Sequence, residues 1–501
     1  MFPGVCFYRR LQVQQYIMAE DIDLGEGGRG ELRHFNSVGI DIGSTTTQLV
    51  FSRLGLGFVE ETHKFDIVDR EVVHYSEICL TPFHDDYTID TEGLRGILED
   101  AYRGAGFEAD DIDTGAIIIT GVAALRHNAA RIVELFSGQM GRFVVATAGP
   151  NYEAILAAHG SGAVELSDRR LKTVMNVDVG GGTSKIAVIR RGEVVKTASV
   201  FVGARHVVLD GGGRALRVEE PAEIVASANG FGVSVGEVVS GEEQAALASS
   251  LADSLFELIR GEPLSPLTEK LMQTPPLGFD GRVDVVFFSG GVSEYVYGYE
   301  ERGFGDIGLL LGEEIRRRMC DLPMAVAEPV ERIRATVIGE SQYTLQVSGT
   351  TNLISDLGLL PIRNLPVVAP RFASSVLSVE EMEAEVLRAL GMRDLDPGRD
   401  AFALAFARSV INQPSYLQMK GLSEAVVSVQ RDKLEAGGVL VLVFEADIGM
   451  GIGRVIQEEV APGCALISID EVKLSDFNYV DIGEPTGDRG FIPVIIKSLV
   501  F

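Results

Sequence analysis

A short loop motif that occurs twice in the chain constrains its fold more than any other feature. Residues Asp41–Thr47 (DIGSTTT) match residues Asp178–Ser184 (DVGGGTS) at a separation of 137 residues (178 − 41). In both copies an apolar run ends at the aspartate, and a second apolar run follows the polar turn. A duplicated strand, turn and strand predicts two similar α/β lobes that face each other across a cleft.

The rest of residues 37–360 supports this prediction, because short apolar runs closed by glycine recur in both halves. The predicted strands are Val38–Ile42, Gln48–Phe51, Ala116–Thr120, Phe143–Thr147, Thr173–Val179, Lys185–Ile189, Val283–Phe288 and Arg334–Ile338. Between Gly241 and Ile259, leucines recur every four residues, which predicts a long amphipathic helix.

The domain organisation follows from where these patterns begin and end. Residues 1–36 match neither pattern and contain a glycine-rich stretch, so a poorly ordered extension is expected there. Three prolines without periodicity predict a linker at 361–370. The predicted units are the extension 1–36, a first lobe 37–172, a second lobe 173–360, the linker 361–370 and a small α/β domain 371–501.

Composition narrows the classes of function. The 501 residues carry a net charge of −28, which argues against a nucleic-acid partner or an anionic membrane surface. No apolar run is long enough to cross a membrane. The four cysteines are far apart in the sequence and form no C-x-x-C, which argues against a zinc or iron–sulfur site and is typical of a cytoplasmic protein.

The two loops have the residue types that a nucleotide phosphate requires. Glycines allow close backbone approach, and hydroxyls add donors to the backbone amides. The candidate phosphate-binding residues are Gly43, Ser44, Thr45, Thr46, Gly180, Gly181, Gly182 and Thr183. Asp41 and Asp178 end their strands just before the loops, and two carboxylates across a cleft suit Mg²⁺.

Two later turns extend the candidate site. Gly290 and Gly291 follow one predicted strand and Gly339 follows another, and glycine at these turns would let an adenosine lie against the backbone. Lys185 could contact a phosphate, although a strand lysine at the rim of the cleft is the more common case. No G-x-x-x-x-G-K-[ST] motif occurs, so the chain is not a P-loop protein.

Several blocks of sequence resemble the ethanolamine ammonia-lyase reactivating proteins, and the resemblance covers residues 37–501. The blocks include Val38–Phe51, Gly115–Gly121, Phe143–Pro150, Asn176–Thr183, Phe288–Val292, Arg334–Gly339 and Tyr479–Phe501. The resemblance implies the two-lobed actin/Hsp70-like ATPase fold, which is a duplicated ribonuclease-H-like fold, with a small C-terminal α/β domain.

The resemblance also implies a function. Members of that family are chaperone-like ATPases that release damaged cobalamin from an adenosylcobalamin-dependent lyase, so that intact cofactor can bind. For this chain it implies ATP and Mg²⁺ as ligands, with Asp41 and Asp178 holding the metal. It implies ethanolamine ammonia-lyase as the partner. It also implies a cytoplasmic location, where the protein could associate with a bacterial microcompartment. The oligomeric state, a homo-oligomer included, stays open.

The residue that orients the attacking water is less well defined by the resemblance. Proteins of the wider fold carry an acidic or polar residue after the third strand, but the Ala148-Gly-Pro turn has none, and Glu153 is the nearest candidate. A surface glutamate on a helix is the alternative interpretation of that residue.

Three other functions remain as alternatives. An activase of 2-hydroxyacyl-CoA dehydratases has a similar first loop, but it needs clustered cysteines, and Gln48 stands where its lysine would be. An actin-like scaffold that binds nucleotide without significant turnover is compatible with the undefined water-orienting residue. A small-molecule kinase of the same fold would need an aspartate base beside a sugar pocket, and the sequence offers no convincing one.

Overall fold

The computed structural model describes most of the chain beyond residue 32. The described residues are 33–43, 46–59, 64–85, 88–108, 111–112, 114–120, 143–330, 332, 340–347, 352–372, 378–409, 414–476, 478–483 and 492–500. Residues 1–32 of the predicted extension lie outside the described residues. So do Ser44, Thr45, the predicted strand Arg334–Ile338 and Gly339. Residues 33–36, predicted to belong to the poorly ordered extension, instead form the start of the first strand.

The first sheet is built from residues before 149. Its strands are β1 (Arg33–Ile42), β2 (Thr46–Val59), β3 (Lys64–Tyr75), β4 (Cys79–Leu80), β7 (Thr114–Thr120) and β8 (Phe143–Ala148). Between β4 and β7, β5 (Phe83–Asp85) and β6 (Thr88–Ile89) form a separate two-stranded sheet, and helix α1 (Thr91–Ala105) follows. The main strand order is β3-β2-β1-β7-β8, and the short β4 pairs with β2. The first three strands are antiparallel, whereas β1, β7 and β8 run parallel.

The second sheet repeats this arrangement. Its elements and the helices around it are β9 (Thr173–Val179), β10 (Ser184–Arg190), β11 (Glu193–Val200), β12 (Val207–Leu209), β13 (Ala215–Val218), α4 (Glu220–Ala228), α5 (Gly241–Arg260), α6 (Pro266–Leu271), β14 (Val285–Ser289), α7 (Ser293–Tyr297), α8 (Gly308–Met319) and β15 (Ala325–Ala327). The order β11-β10-β9-β14-β15 and the pairing directions match those of the first sheet, and β12 and β13 form a separate hairpin. Two copies of one five-stranded topology make up the actin/Hsp70-like fold, as predicted.

Two helices connect the sheets, α2 (Pro150–Gly160) and α3 (Ala163–Arg170). Helix α2 is apolar nearly all round, which is typical of a helix buried on several sides. Its residues Tyr152 and Leu156 pack with β7 of the first sheet. Ala154 and Ala158 pack instead against the second sheet. Helix α2 is therefore the structural link between the two lobes.

Helix α5 shows how local sequence fixes an element of the second lobe. Ser240 caps its first turn in a reciprocal capping box with Glu243, and Gly261 ends it in the left-handed conformation. The leucines that recur every four residues are buried in the core of this lobe, as the periodicity predicted.

The third sheet has eight strands in the order β16-β23-β22-β18-β19-β20-β21-β17. Its elements are β16 (Glu340–Val347), β17 (Leu353–Ile354), β18 (Ile362–Val368), α9 (Val379–Met392), β19 (Ala403–Phe406), α10 (Tyr416–Val429), α11 (Arg431–Glu435), β20 (Val439–Phe444), α12 (Gly449–Val455), β21 (Ala465–Ile469), β22 (Asn478–Ile482) and β23 (Pro493–Val500). A 3₁₀ turn spans Leu357–Leu359, and a π-helical turn at Ile456–Val460 continues α12. Helices α9, α10 and α12 cover one face of the sheet.

The predicted linker at 361–370 is wrong. Seven of its ten residues form β18 inside the third sheet, where β18 pairs with β19 and β22. Pro366 lies opposite Tyr479 of β22, just after an irregularity between Ile362 and Leu365, and the pairing of β18 with β19 begins only at Val367. Strands β16 and β17, which lie before residue 361, also belong to this sheet.

Candidate functional site

The two predicted phosphate loops are closed by equivalent backbone hydrogen bonds. In the first loop the Gly43 amide donates to the carbonyl of Thr46 at 2.9 Å, and in the second the Gly180 amide donates to the carbonyl of Thr183 at 3.0 Å. These residues are equivalent in the sequence repeat, so the repeat predicted a real structural equivalence. The Thr81 hydroxyl supports the first loop by donating to the Gly43 carbonyl at 2.7 Å.

Both candidate metal-binding aspartates are buried at the ends of equivalent central strands. Asp41 ends its run on β1 and is 6% exposed, and Asp178 on β9 is 5% exposed. In the paired strands Gln48 lies opposite Asp41, and Lys185 lies opposite Asp178. The repeat therefore places a neutral amide in the first lobe where the second lobe has a cation.

Lys185 is buried in the site, so its interpretation as a rim residue is wrong. Its side chain is 11% exposed, and Nζ lies 2.5 Å from Oε2 of Glu153 on helix α2. Burial by itself would lower the pKa of Lys185, but the carboxylates of Glu153 and Asp178 outweigh it and raise that pKa. Asp41 adds to this effect, so one lysine lies within the field of three carboxylates.

Asp178 is held by the next strand of its own sheet. The Ser289 hydroxyl on β14 donates to Oδ1 of Asp178 at 2.8 Å, and the Asn176 amide donates to the same hydroxyl at 3.1 Å. Burial raises the pKa of Asp178, while Lys185 and the Ser289 hydroxyl act in the opposite direction. The carboxylate orientation is thus fixed by two neighbouring strands.

Glu153 is buried, so the alternative interpretation as a surface glutamate is wrong, and its role in orienting water stays a prediction. It is 2% exposed on the first turn of α2, between the two sheets. Since Lys185 joins it to the strand that carries the second loop, the structure brings Glu153, Lys185 and Asp178 together.

The second loop is closed from behind by a segment that the sequence interpretation missed. The amides of Ala204 and Arg205 donate to the carbonyls of Gly180 and Gly181 at 3.2 and 2.6 Å. A Cβ atom on Gly203 would lie 2.3 Å from the Gly181 carbonyl oxygen, so only glycine fits there. The glycine after β11 was visible in the sequence, but only the tertiary structure shows what it contacts.

Arg205 connects this segment to helix α8. Its Nε lies 3.2 Å from Oδ2 of Asp306, and the other oxygen of Asp306 accepts a 2.9 Å hydrogen bond from the Gly308 amide. Asp306 lies 101 residues after Arg205, and nothing in the sequence paired the two. The pair ties the second loop to the start of α8.

The predicted adenosine glycines have separate structural reasons. Gly290 has a φ of 83°, and a Cβ atom there would lie 2.5 Å from the carbonyl oxygen of Val179. Its conformation therefore follows from contact with the end of β9, beside the second loop. Gly291 comes next in the same turn before α7, and its contact with adenosine stays a prediction. Gly339 lies outside the described residues.

A cation at this site would have few direct protein ligands. In the part of the chain that the structure describes, no group of three or more His, Cys, Asp or Glu side chains is arranged to hold a metal ion. Mg²⁺ usually binds through one or two carboxylates together with water and phosphate oxygens, so the pair Asp41 and Asp178 is compatible with it.

None of the described helices is long and apolar enough to cross a membrane.

Comparison with known proteins identifies relatives along nearly the whole chain. The family model described as ethanolamine utilisation protein EutA matches residues 33–501. The chain is 35% identical to the ethanolamine ammonia-lyase reactivase EutA of Salmonella typhimurium strain LT2 over 94% of this chain and 99% of that protein. It is 34% identical to the reactivase of the same name from Escherichia coli K12, with the same coverage.

Solved structures give weaker similarities. The ethanolamine utilization protein EutJ from Carboxydothermus hydrogenoformans is 16% identical, with a TM-score of 0.32, and the match covers 61% of this chain and 88% of that chain. The activator of the 2-hydroxyisocaproyl-CoA dehydratase from Clostridium difficile with bound ADPNP gives 16% identity and a TM-score of 0.28, over 60% of this chain and 91% of that chain. The family match over residues 33–501 and the two reactivases do not favour the dehydratase activase alternative, and they show that this chain belongs to the family of the ethanolamine utilisation protein EutA.

Proposed function

We propose that this protein is an ATP-hydrolysing reactivase of ethanolamine ammonia-lyase. ATP binding and hydrolysis would change the closure of the two lobes, and lobe closure would switch the affinity for the lyase. The lyase would then release damaged cobalamin, and intact adenosylcobalamin would bind in its place. The observation that carries the proposal is the pair of equivalent loops with buried aspartates, in a chain that belongs to the EutA family.

The concentration of carboxyl groups at the site supports Mg²⁺ as a ligand. Asp41, Asp178 and Glu153 are buried, and all three lie in the field of the Lys185 ammonium. Mg²⁺ usually binds through one or two carboxylates together with water and phosphate oxygens, which such a site would supply when ATP is bound. Asp41 and Asp178 would hold the ion, and the ion would neutralise charge on the transferred phosphoryl group.

The loops would hold the phosphates through backbone amides and hydroxyls. Apart from its two chain neighbours, no atom of the described residues would lie within 4 Å of a Cβ atom on Gly182, so the space over this part of the second loop is open with respect to them. Phosphate oxygens fit such a space because backbone amides in tight turns form anion-binding concavities. We assign the phosphates to Gly43, Thr46, Gly180, Gly181, Gly182 and Thr183, with Ser44 and Thr45 beside them, and the adenosine to Gly290, Gly291 and Gly339.

Glu153 would orient the attacking water. It lies on the helix between the lobes, and Lys185 holds its carboxylate by a 2.5 Å ion pair. A fixed carboxylate can accept a hydrogen bond from a water molecule and so direct a lone pair of the water oxygen toward the terminal phosphate. Since each partner of this pair belongs to a different part of the fold, lobe movement would change the position of Glu153.

The proposed partner is ethanolamine ammonia-lyase, and the proposed location is the cytoplasm, in association with a bacterial microcompartment. The support for the partner is the name of the two reactivases, which match this chain along 99% of their length.

A reactivation assay tests this function. Lyase blocked with cyanocobalamin is incubated with the protein, ATP, Mg²⁺ and free adenosylcobalamin, and ammonia release is measured. Recovery is expected with wild-type protein and not with Asp178→Asn. Recovery no greater than in a protein-free control would refute the proposal, and full recovery without nucleotide would refute the role of ATP.

A further inference from the structure

The first turn of helix α2, which carries Glu153, has no capping side chain of its own. Its N-cap residue is Gly149, and Pro150 follows it, so neither supplies a side-chain acceptor for the free amides of the helix start. Helices usually satisfy these amides with Ser, Thr, Asp or Asn at the N-cap, and loss of such a cap frays the first turn.

Asp394 supplies the missing cap, and it belongs to the third-sheet region, which is the part of the chain from residue 340 to residue 500. Oδ2 of Asp394 accepts a 2.7 Å hydrogen bond from the Tyr152 amide, and Oδ1 accepts one of 2.8 Å from the Asn151 side chain. A carboxylate at this end also interacts favourably with the helix dipole. The start of α2 is therefore capped by a side chain that is remote in sequence.

The surrounding geometry is built to hold this contact. Asp394 follows helix α9 and has a φ of 53°, a left-handed conformation that aspartate tolerates better than most residues. A Cβ atom on Gly149 would lie only 2.5 Å from the Cβ of Asp394, so glycine allows the close approach. The Arg393 guanidinium lies 4.2 Å from the centroid of the Tyr152 ring, which holds the same turn from a second direction.

The capped turn is also attached to the second lobe. Oδ1 of Asn151 accepts a 2.8 Å hydrogen bond from the Thr197 hydroxyl on β11. Glu153 on this turn pairs with Lys185 on β10. A single helical turn thus connects the third-sheet region, the second lobe and the proposed water-orienting carboxylate.

We propose that Asp394 is a positioning residue for Glu153, through which the third-sheet region controls ATP turnover. This inference rests on the proposed function. Without the cap, the first turn of α2 frays and Glu153 leaves the orientation that Lys185 fixes. Nucleotide contacts in the two loops would stay intact, so the defect would affect turnover and not binding.

The test compares full-length variants with Mg²⁺ and ATP. Asp394→Ala is expected to lower kcat about tenfold, with KM and the affinity for a nonhydrolysable ATP analogue changed less than threefold. Asp394→Asn is expected to restore most of the turnover, because its side-chain oxygen can still accept from the Tyr152 amide. Arg371→Ala is the matched control, since Arg371 also joins the third-sheet region to the second lobe, through Glu193 on β11.

Hydrogen exchange gives a readout that does not depend on hydrolysis. In Asp394→Ala the Tyr152 amide is expected to exchange at least ten times faster, while amides in the middle of α2 keep their protection. Unchanged exchange, or turnover equal to that of wild type and Arg371→Ala, would overturn the inference alone. A parallel loss of affinity and turnover would also overturn it. Absence of turnover in the wild type would refute the proposed hydrolysis and, with it, this role of Asp394.

Discussion

Lys185 Nζ lies 2.5 Å from Glu153 Oε2, although one residue belongs to a strand of the second sheet and the other to the helix between the sheets. The lysine also faces Asp178 across the strand pair. Its position makes it the cation that balances part of the negative charge in the proposed nucleotide site.

Removing this cation should destabilise the protein. Lys185→Met leaves buried carboxylates without their partner, which typically costs about 3–5 kcal/mol. The double variant Lys185→Met with Glu153→Gln should be less destabilised than Lys185→Met alone, because one of the buried charges is removed as well. Urea unfolding at pH 7 without Mg²⁺ measures both effects.

An exposed ion pair provides the control for that comparison. Arg371 and Glu193 are both 59% exposed, so Arg371→Ala should cost less than about 1 kcal/mol. Equal destabilisation by Lys185→Met and Arg371→Ala would contradict the burial argument.

Asp178→Asn should remove a negative charge from the site without destabilising the fold. Asparagine can still accept the hydrogen bond from Ser289, so the unfolding midpoint should change little. Loss of the carboxylate should lower Mg²⁺-dependent ATP turnover about 100-fold, which is the usual scale for one electrostatic contribution to a transition state. Steady-state phosphate release measures it, with Asp280→Asn on the exposed surface as control. Turnover in Asp178→Asn equal to that of wild type would refute the role of this carboxylate in hydrolysis.

Gly182→Ala tests whether phosphate occupies the open space above the second loop. Among the residues that the structure describes, none beyond the two chain neighbours lies within 4 Å of the new methyl group, so stability should match that of Gly211→Ala, an exposed glycine with equally open surroundings. Affinity for ATP should nevertheless fall about tenfold in Gly182→Ala, which corresponds to about 1.4 kcal/mol. Isothermal titration with ATP checks this, and equal affinity of both variants would place the phosphates elsewhere.

Gly203→Ala should lower the stability of the fold, in contrast to Gly182→Ala, which should lower only the affinity for ATP. Its methyl group would lie 2.3 Å from the Gly181 carbonyl oxygen, so the backbone must move and the fold itself should lose about 1–3 kcal/mol. Thermal unfolding without nucleotide measures the loss. A fully stable variant would show that the segment behind the loop can move freely.

His206 should make stability fall with acid. Burial lowers its pKa to about 4, below the ordinary value of 6.5, so the unfolded chain binds the proton more readily than the folded one. The stabilisation is present above pH 6.5 and is lost as the pH falls toward 4. At pH 5 the loss amounts to about 2 kcal/mol. His206→Gln should therefore lose less stability than wild type between pH 7 and pH 5 in urea unfolding, and identical losses would contradict the assignment.

Much of the fold could be predicted from sequence because its signals are local. The repeat at Asp41 and Asp178 predicted two equivalent loops, and the same hydrogen bond closes both. The predicted strand Thr173–Val179 is confirmed with the same bounds, and its residues from Val174 to Val179 are buried. The predicted linker was wrong because proline does not exclude a residue from a strand, and Pro366 lies in β18 opposite Tyr479 of β22.

The sequence by itself determined the lobes, the loops and the two aspartates, because backbone conformation and apolar periodicity depend on neighbouring residues. Only the tertiary structure decided which distant groups meet. It buried Lys185 against Glu153, placed Gly203 behind Gly181, and brought Asp394 to the start of helix α2. Hydrogen bonds and ion pairs form only between atoms within about 3–4 Å of each other. The number of residues between two groups in the sequence does not tell whether the folded sheets bring them that close.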